Sequence, residues 1–122
     1  MPSPAEQKIA ELTKGMLRRK LFAVLSFGKG LDLRPYLAAH LEYMIALERQ
    51  GKLFASGPFG KGTSGDGLTV LRAADEAEAR EIMSKDPFII HGVRTFTIKE
   101  WTVMEGSVGL TVNFSDQSVT IA

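Results

Sequence analysis

Residues 20–58 read KLFAVLSFGKGLDLRPYLAAHLEYMIALERQGKLFASGP, and their periodicity changes twice. Leu21 to Leu25 is unbroken apolar sequence, closed after Ser26 and Phe27 by Gly28 and Gly30. A short apolar run bounded by glycine predicts a central strand buried on both faces. Residues 33–50 then follow a helical period. At about 100° per residue, Tyr36, His40, Tyr43, Met44 and Leu47 share one broad arc with Leu37, Leu41 and Ile45, while Glu42 and Arg49 lie opposite. Asp32 is the expected cap, Pro35 is tolerated in the first turn, and Gly51 is the expected stop. Leu53 to Ser56 returns to a strand and leads into Gly57-Pro58.

The same order repeats downstream. A glycine-rich connection runs to Gly67, and Leu68 to Arg72 forms the second arm of a hairpin with a long, mobile loop. Asp75 and Glu78 give a capping-box signature for a helix over 76–85. Ala79, Ile82 and Met83 supply its inner face, and Pro87 ends it. Val93 to Met104 is the last core strand. The order β-α-β-β-α-β predicts an α+β fold of the ferredoxin-like kind, with an antiparallel sheet. Right-handed crossovers place both helices on one face of it. An apolar face left on the other side does not stay in water, so pairing with a second copy of the chain is expected.

Two segments flank this core. Ser3, Pro4 and Glu6 form a capping-box signature opening a helix over residues 3–14, and Ala5, Ile9, Leu12 and Met16 make a narrow apolar stripe. At the other end Val108, Leu110, Val112 and Phe114 alternate, a polar turn follows, and Val119 and Ile121 resume, which predicts a hairpin. The expected organisation is one domain over 1–122, with a core at about 20–104, a helical extension over 1–19 and a hairpin over 105–122.

Composition removes several function classes. Apolar residues make up 44% and charged residues 24% of 122 positions, the balance of a globular domain. A net charge of +1 with scattered basic residues supplies no field for nucleic acid or an anionic membrane. The chain has no cysteine, so disulfides and thiolate chemistry are excluded and a reducing cytoplasm fits. Glu6 and Glu11 interrupt any secretory pattern at the N-terminus, and no apolar run spans a bilayer. Gly60, Gly62 and Gly65 spell G-x-G-x-x-G, but a strand follows where the dinucleotide fingerprint needs a helix. Metal binding is not expected from His40 and His91 alone, the only histidines.

Residues 20–101 resemble the YciI-like family of dimeric α/β-barrel proteins. The resemblance is carried by Arg34, His40-Leu41, Tyr43, Gly51-Lys52-Leu53, Ser56-Gly57-Pro58, Glu76 to Ala79, Asp86-Pro87-Phe88, Gly92 and Trp101. It implies a dimer, no cofactor, and an acid–base pair formed by a histidine on the first helix and an aspartate after the second. Those positions are His40 and Asp86 here. One member of the family removes hydrogen chloride from a chlorinated hydroxyquinol-type compound, which implies a class of chemistry rather than a substrate.

The residues themselves support several readings. His40 lies inside the apolar arc of its helix, where it serves either as a hydrogen-bonded core histidine or as a group that exchanges protons near neutral pH. Asp86 meets the negative end of the preceding helix dipole, a local conflict that suits function, although an Asp-Pro turn is also ordinary. Topology places His40, Asp86 and Gly57-Pro58 at one end of the sheet. Arg34 is a candidate for holding an anionic substrate group, or is simply a solvated ion pair. Ser56 and Ser84 are nearby hydroxyls without an assigned nucleophilic role, and Phe88 is an apolar wall or core. The leading expectation is proton transfer, elimination or isomerisation on a small polar or aromatic-derived metabolite. A non-catalytic ligand-binding module and a cofactor-free oxygenase are the alternatives.

Overall fold

Strand β1 (Arg19–Gly28) takes an interior place in a four-stranded sheet of order β2-β3-β1-β4, where β2 is Leu53–Pro58, β3 is Gly67–Leu71 and β4 is Arg94–Val103. The computed structural model describes residues 1–62 and 65–121. β1 pairs antiparallel with β3, bringing Phe22 opposite Leu71, Val24 opposite Thr69 and Ser26 opposite Gly67. β2 pairs antiparallel with β3, with a register shift between Leu53 and Ala55. With two helices in the chain order, this is the ferredoxin-like α+β arrangement. Thr63 and Ser64, in the connection expected to be mobile, lie outside the described residues.

Alternation along β1 sorts its side chains. Phe22 and Val24 meet Met44 and Leu47 of α2 (Arg34–Arg49) and Ala79, Ile82 and Met83 of α3 (Glu76–Ser84), with Leu71 from β3 beside them. Both helices therefore cover the same face, as right-handed crossovers require. Each buried side chain of this size contributes about 1.5–3 kcal/mol relative to exposure. The expected burial of β1 on both faces holds only in part. Leu21 is buried, but Ala23 and Leu25 are half-buried and Phe27 is 40% exposed, so the face away from the helices opens toward the glycine end of the strand.

Helix α2 buries a narrower stripe than the sequence predicts. Met44 and Leu47 are buried and Tyr36, His40 and Tyr43 half-buried, whereas Leu37, Leu41 and Ile45 remain exposed. Asp32 lies one residue before the cap position, which Leu33 takes without a side-chain bond. Its carboxylate still accepts from the Arg34 N–H at 3.0 Å. Gly51 ends the helix as expected, at φ +76°, with its N–H on the Glu48 carbonyl and the Lys52 N–H on that of Leu47. Those two bonds satisfy otherwise orphaned carbonyls.

Asp75 caps α3 through a 2.8 Å bond from the Glu78 N–H. Glu78 does not return to Asp75 but accepts from the Ala74 N–H, so the reciprocal box is shifted by one residue. After α3 comes a turn the sequence reading did not separate. Pro87 ends one helix and begins another, α4 (Pro87–Ile90), because a proline needs no N–H at a first helical position.

The chain divides into two compact units, Lys20–Thr102 and a second made of Met1–Arg19 with Val103–Ala122. In the second, α1 (Pro4–Thr13) carries the predicted capping box between Ser3 and Glu6, and the Leu17 N–H bonds to the Met104 carbonyl. β5 (Leu110–Asn113) and β6 (Ser118–Ile121) form an antiparallel pair across the expected polar turn. Among the described residues no helix is long and apolar enough to cross a membrane.

Met83 has no exposed surface and touches the centre of the core, while Ile9 on α1 is 60% exposed. Urea titration is expected to show Met83→Ala losing about 2–5 kcal/mol of unfolding free energy and Ile9→Ala changing it by about 0.5 kcal/mol or less. A loss under about 1 kcal/mol at Met83 would show that this core does not hold the unit together.

Candidate functional site

The site is built on the junction between α3 and α4. Asp86 precedes a proline and so takes extended geometry, with φ −64° and ψ 127°. That makes it the N-cap of α4. Its Oδ1 accepts from the Phe88 N–H at 3.1 Å. The unfavourable encounter expected with the end of α3 is thus met by the favourable start of the next turn. The capping bond also aims the carboxylate. The same Oδ1 lies 2.8 Å from Nδ1 of His40, forty-six positions earlier on α2. His40 is drawn inward by its place on the buried stripe with Met44 and Leu47.

The pair is sheltered. Asp86 is completely buried, and its Oδ2 accepts no hydrogen bond from the described residues. Leaving such an atom unpaired costs about 1–3 kcal/mol, and Ser26 Oγ is a second orphan of this kind. The His40 ring stacks on Phe88, with centroids 4.2 Å apart and planes 18° from parallel. Phe88, 1% exposed, is held by the same turn that Asp86 caps. Tyr43 donates to the Ile82 carbonyl at 2.6 Å and ties α2 to α3. Burial raises the Tyr43 pKa, with the charges of Asp86 and Glu81 adding to it, so this hydroxyl is a fixed donor rather than a base.

His40 and Phe88 line a cavity of about 630 Å³, within the range of small-molecule sites. Leu37, Leu41 and Met44 of α2 form one side, and Ser56, Gly57 and Pro58 of β2 another. Six of the seven residues singled out from sequence line it, and the seventh, Asp86, stands behind His40. Arg34 also reaches it, but its side chain is 88% exposed and its Nε lies 3.0 Å from Asp32 Oδ1. A second bond, from Nη2 to Asp32 Oδ2 at 3.1 Å, makes the pair bidentate. Ser84 is elsewhere: it is exposed and donates to the Arg80 carbonyl at 2.7 Å. His91 stacks on Tyr36 at 4.2 Å. Among the described residues no three His, Cys, Asp or Glu side chains gather as a metal cluster. A shallower depression of about 670 Å³ between α2 and α3, lined by residues such as Glu78, Glu81 and Lys85, holds none of the predicted site residues.

Sequence reasoning missed Arg94. It is 9% exposed, lines the cavity, and lies with its guanidinium carbon 4.7 Å from the centre of the Phe88 ring. Its Nε donates to the Gly65 carbonyl at 2.7 Å. Burial lowers its pKa, against the opposing pull of Asp86 and Asp66. The signal was in β4, where Arg94 shares alternation with the inward Phe96 and Ile98. Asp66 was missed too. Its Oδ1 accepts from the Gly28 N–H at 2.8 Å and its carbonyl from the Phe59 N–H at 2.9 Å. It therefore ties together two segments that both read Phe-Gly-Lys-Gly, Phe27 to Gly30 at the end of β1 and Phe59 to Gly62 just after β2.

Comparison with known proteins follows the same boundaries. The chain is 36% identical over 68 residues to the uncharacterized protein YjpA of Bacillus subtilis, covering 56% of this chain and 78% of that one. Its fold matches, at a TM-score of 0.56 and 23% identity, the 5-chloro-2-hydroxyhydroquinone dehydrochlorinase TftG of Burkholderia phenoliruptrix, solved in complex with 2,5-dihydroxybenzoquinone. That match covers 66% of this chain and 92% of TftG. The YCII-related domain matches residues 23–102, which takes in every cavity residue from Leu33 to Arg94. The chain belongs to the YCII-related, or YciI-like, family.

Proposed function

We propose that the chain is a cofactor-independent acid–base catalyst of proton transfer, elimination or isomerisation on a small, polar, aromatic-derived molecule. The observation that carries this is the 2.8 Å contact between His40 and a buried Asp86 at the wall of a ligand-sized cavity. An ionised carboxylate only accepts, so Asp86 assigns the proton to Nδ1 and leaves the Nε2 lone pair as the base. Stacking on Phe88 fixes the ring's plane, so the imidazole is held in one pose before a ligand arrives. As in the hydrolase triad, the carboxylate orients and stabilises the imidazolium that forms; no hydroxyl is assigned as nucleophile. Ser56, Gly57 and Pro58 shape the opposite wall, and Arg34 stands at the rim. The activity of TftG, a protein of the same fold, supports a substrate of the hydroxyquinol or quinone class.

We further propose that two copies pair through the sheet face away from the helices. That face carries Ala23, Leu25 and Phe27, the strand residues of opposite parity to the core residues Phe22 and Val24. Sedimentation is expected to give twice the chain mass, and Leu25→Glu, which adds a charge there without touching the helical core, is expected to shift it toward one chain. A wild-type protein sedimenting as a single chain would remove the pairing.

Chloride release from 5-chloro-2-hydroxyhydroquinone, and proton exchange on related enolisable phenols, measure the chemistry directly. His40→Asn, which keeps shape and removes the base, is expected to lower kcat/KM by about 10²–10⁴. Asp86→Asn leaves bulk unchanged, removes the charge and puts an N–H donor in place of one acceptor oxygen, so the tautomer is no longer fixed, and is expected to lower kcat more than it raises KM. Turnover that persists in His40→Asn would end the catalytic reading. Binding without turnover in the unmodified protein would favour a ligand-binding module.

A further inference from the structure

Arg94 is a buried cation with most of its donors unused among the described residues. A guanidinium carries five N–H groups. One, on Nε, is spent on the Gly65 carbonyl, and Nη1 and Nη2 make no hydrogen bond to any described residue. Its neighbouring carboxylates act on it through charge but form no hydrogen bond with it among the described residues: Asp66 Oδ1 accepts from the Gly28 N–H, and Asp86 Oδ1 meets His40 and Phe88. The face of Phe88 compensates part of the buried charge, but it supplies no hydrogen-bond acceptor. A desolvated charge left in this state is costly unless something else completes it.

The backbone beside it is shaped for the fork. A Cβ on Gly67 would stand 3.3 Å from Nη1 and 3.4 Å from Nη2 of Arg94, and 3.2 Å from the Gly57 carbonyl. A side chain here would push the guanidinium away by a few tenths of an ångström, so glycine lets the fork lie close to β3 without a shift. Gly67 has an ordinary backbone conformation, so turn geometry does not require glycine there. The rest of the cavity supplies apolar walls, from Leu37, Leu41 and Met44 to Phe59, and two further cations, Lys61 and the exposed, Asp32-paired Arg34.

We propose that Arg94 is the anion-recognising residue of this cavity, and that the molecule bound there carries a carboxylate or phenolate-type oxygen on an apolar, ring-sized body. The planar fork suits two oxygens of one group or two adjacent ring oxygens, and the walls suit the ring. The proposal rests on the cavity being the ligand site, as in the reading above, but not on His40 performing chemistry.

Benzoate and its neutral isostere benzamide are the probes, titrated into the full chain and followed by amide shifts in NMR spectra. Benzoate is expected to bind at least about tenfold more tightly than benzamide, the effect of a charge-assisted bond, and to shift Gly65, Gly67 and Phe88. Arg94→Met is expected to erase that preference. Arg94→Lys, which keeps charge without the fork, retains a reduced part of it. Gly67→Ala keeps the arginine but displaces the fork, and lowers benzoate affinity severalfold while benzamide stays unchanged. If Arg94→Met does not fold, the lysine and Gly67→Ala variants carry the comparison. The proposal is overturned if wild type binds the two probes equally or binds neither at millimolar concentration. It is also overturned if Arg94→Lys and Gly67→Ala keep the full preference, or if only Arg34→Met removes it. Because binding is the readout, loss of the acid–base reading leaves this result standing, and the reverse also holds.

Discussion

Everything at the candidate-site end of the sheet depends on one carboxylate oxygen. Asp86 Oδ1 accepts from the backbone of α4 and touches the imidazole of α2 at the same time. The first bond fixes where the carboxylate points, and the second fixes where the ring points. Remove the cap and the carboxylate is free to rotate in a site with no water-facing surface, where its other oxygen already has no partner. The cost of burying Asp86 is therefore tied to the local Asp-Pro-Phe turn. Proline takes the first helical position without needing a bond, and the Phe88 N–H, next in line, is the donor left to the cap.

That turn organises a second layer of the site. Phe88 is held rigidly by it and offers a surface to two different groups, the His40 ring and the Arg94 guanidinium. A single aromatic side chain thus sets the plane of the imidazole and shelters the cation. Asp66 closes the arrangement from the loop side, joining the ends of β1 and β2 through two short hydrogen bonds. Gly30, Gly62 and Gly65 in these loops take positive φ and so serve the turns of the backbone. At Gly67 the glycine instead admits a side chain, that of Arg94.

Much of this was legible in the sequence because it rests on short-range rules. The apolar run at Leu21–Leu25, the change to helical period and the stop at Gly51 gave the ferredoxin-like order. The ends of α2 and α3 relative to the strands then placed His40 and Asp86 on the same side of the sheet. Periodicity failed where burial depends on what lies opposite. Leu37, Leu41 and Ile45 have the same helical phase as an inner stripe, yet they stay exposed, Leu37 and Leu41 at the wall of the cavity. The second helical turn after Asp86 was hidden because proline signals both an end and a beginning.

Arg94 shows a different limit. Read alone, an arginine at the start of a strand is a solvated residue, and the net charge of +1 gives no reason to look for a buried one. Its position became meaningful only when three distant facts met in space. The parity of β4 turns it inward with Phe96 and Ile98, the register of β1 and β3 leaves a glycine at position 67, and the capped turn presents Phe88. None of these is a motif. The imidazole was visible because it sits on a periodic helix with a matching carboxylate at a proline turn. The cation was invisible because its neighbours are assembled by sheet register, which is a property of pairing and not of any one stretch of chain. The candidate site is therefore half encoded locally and half by the sheet. Asp86 touches the imidazole directly and acts on the cation through charge, so it joins the two halves.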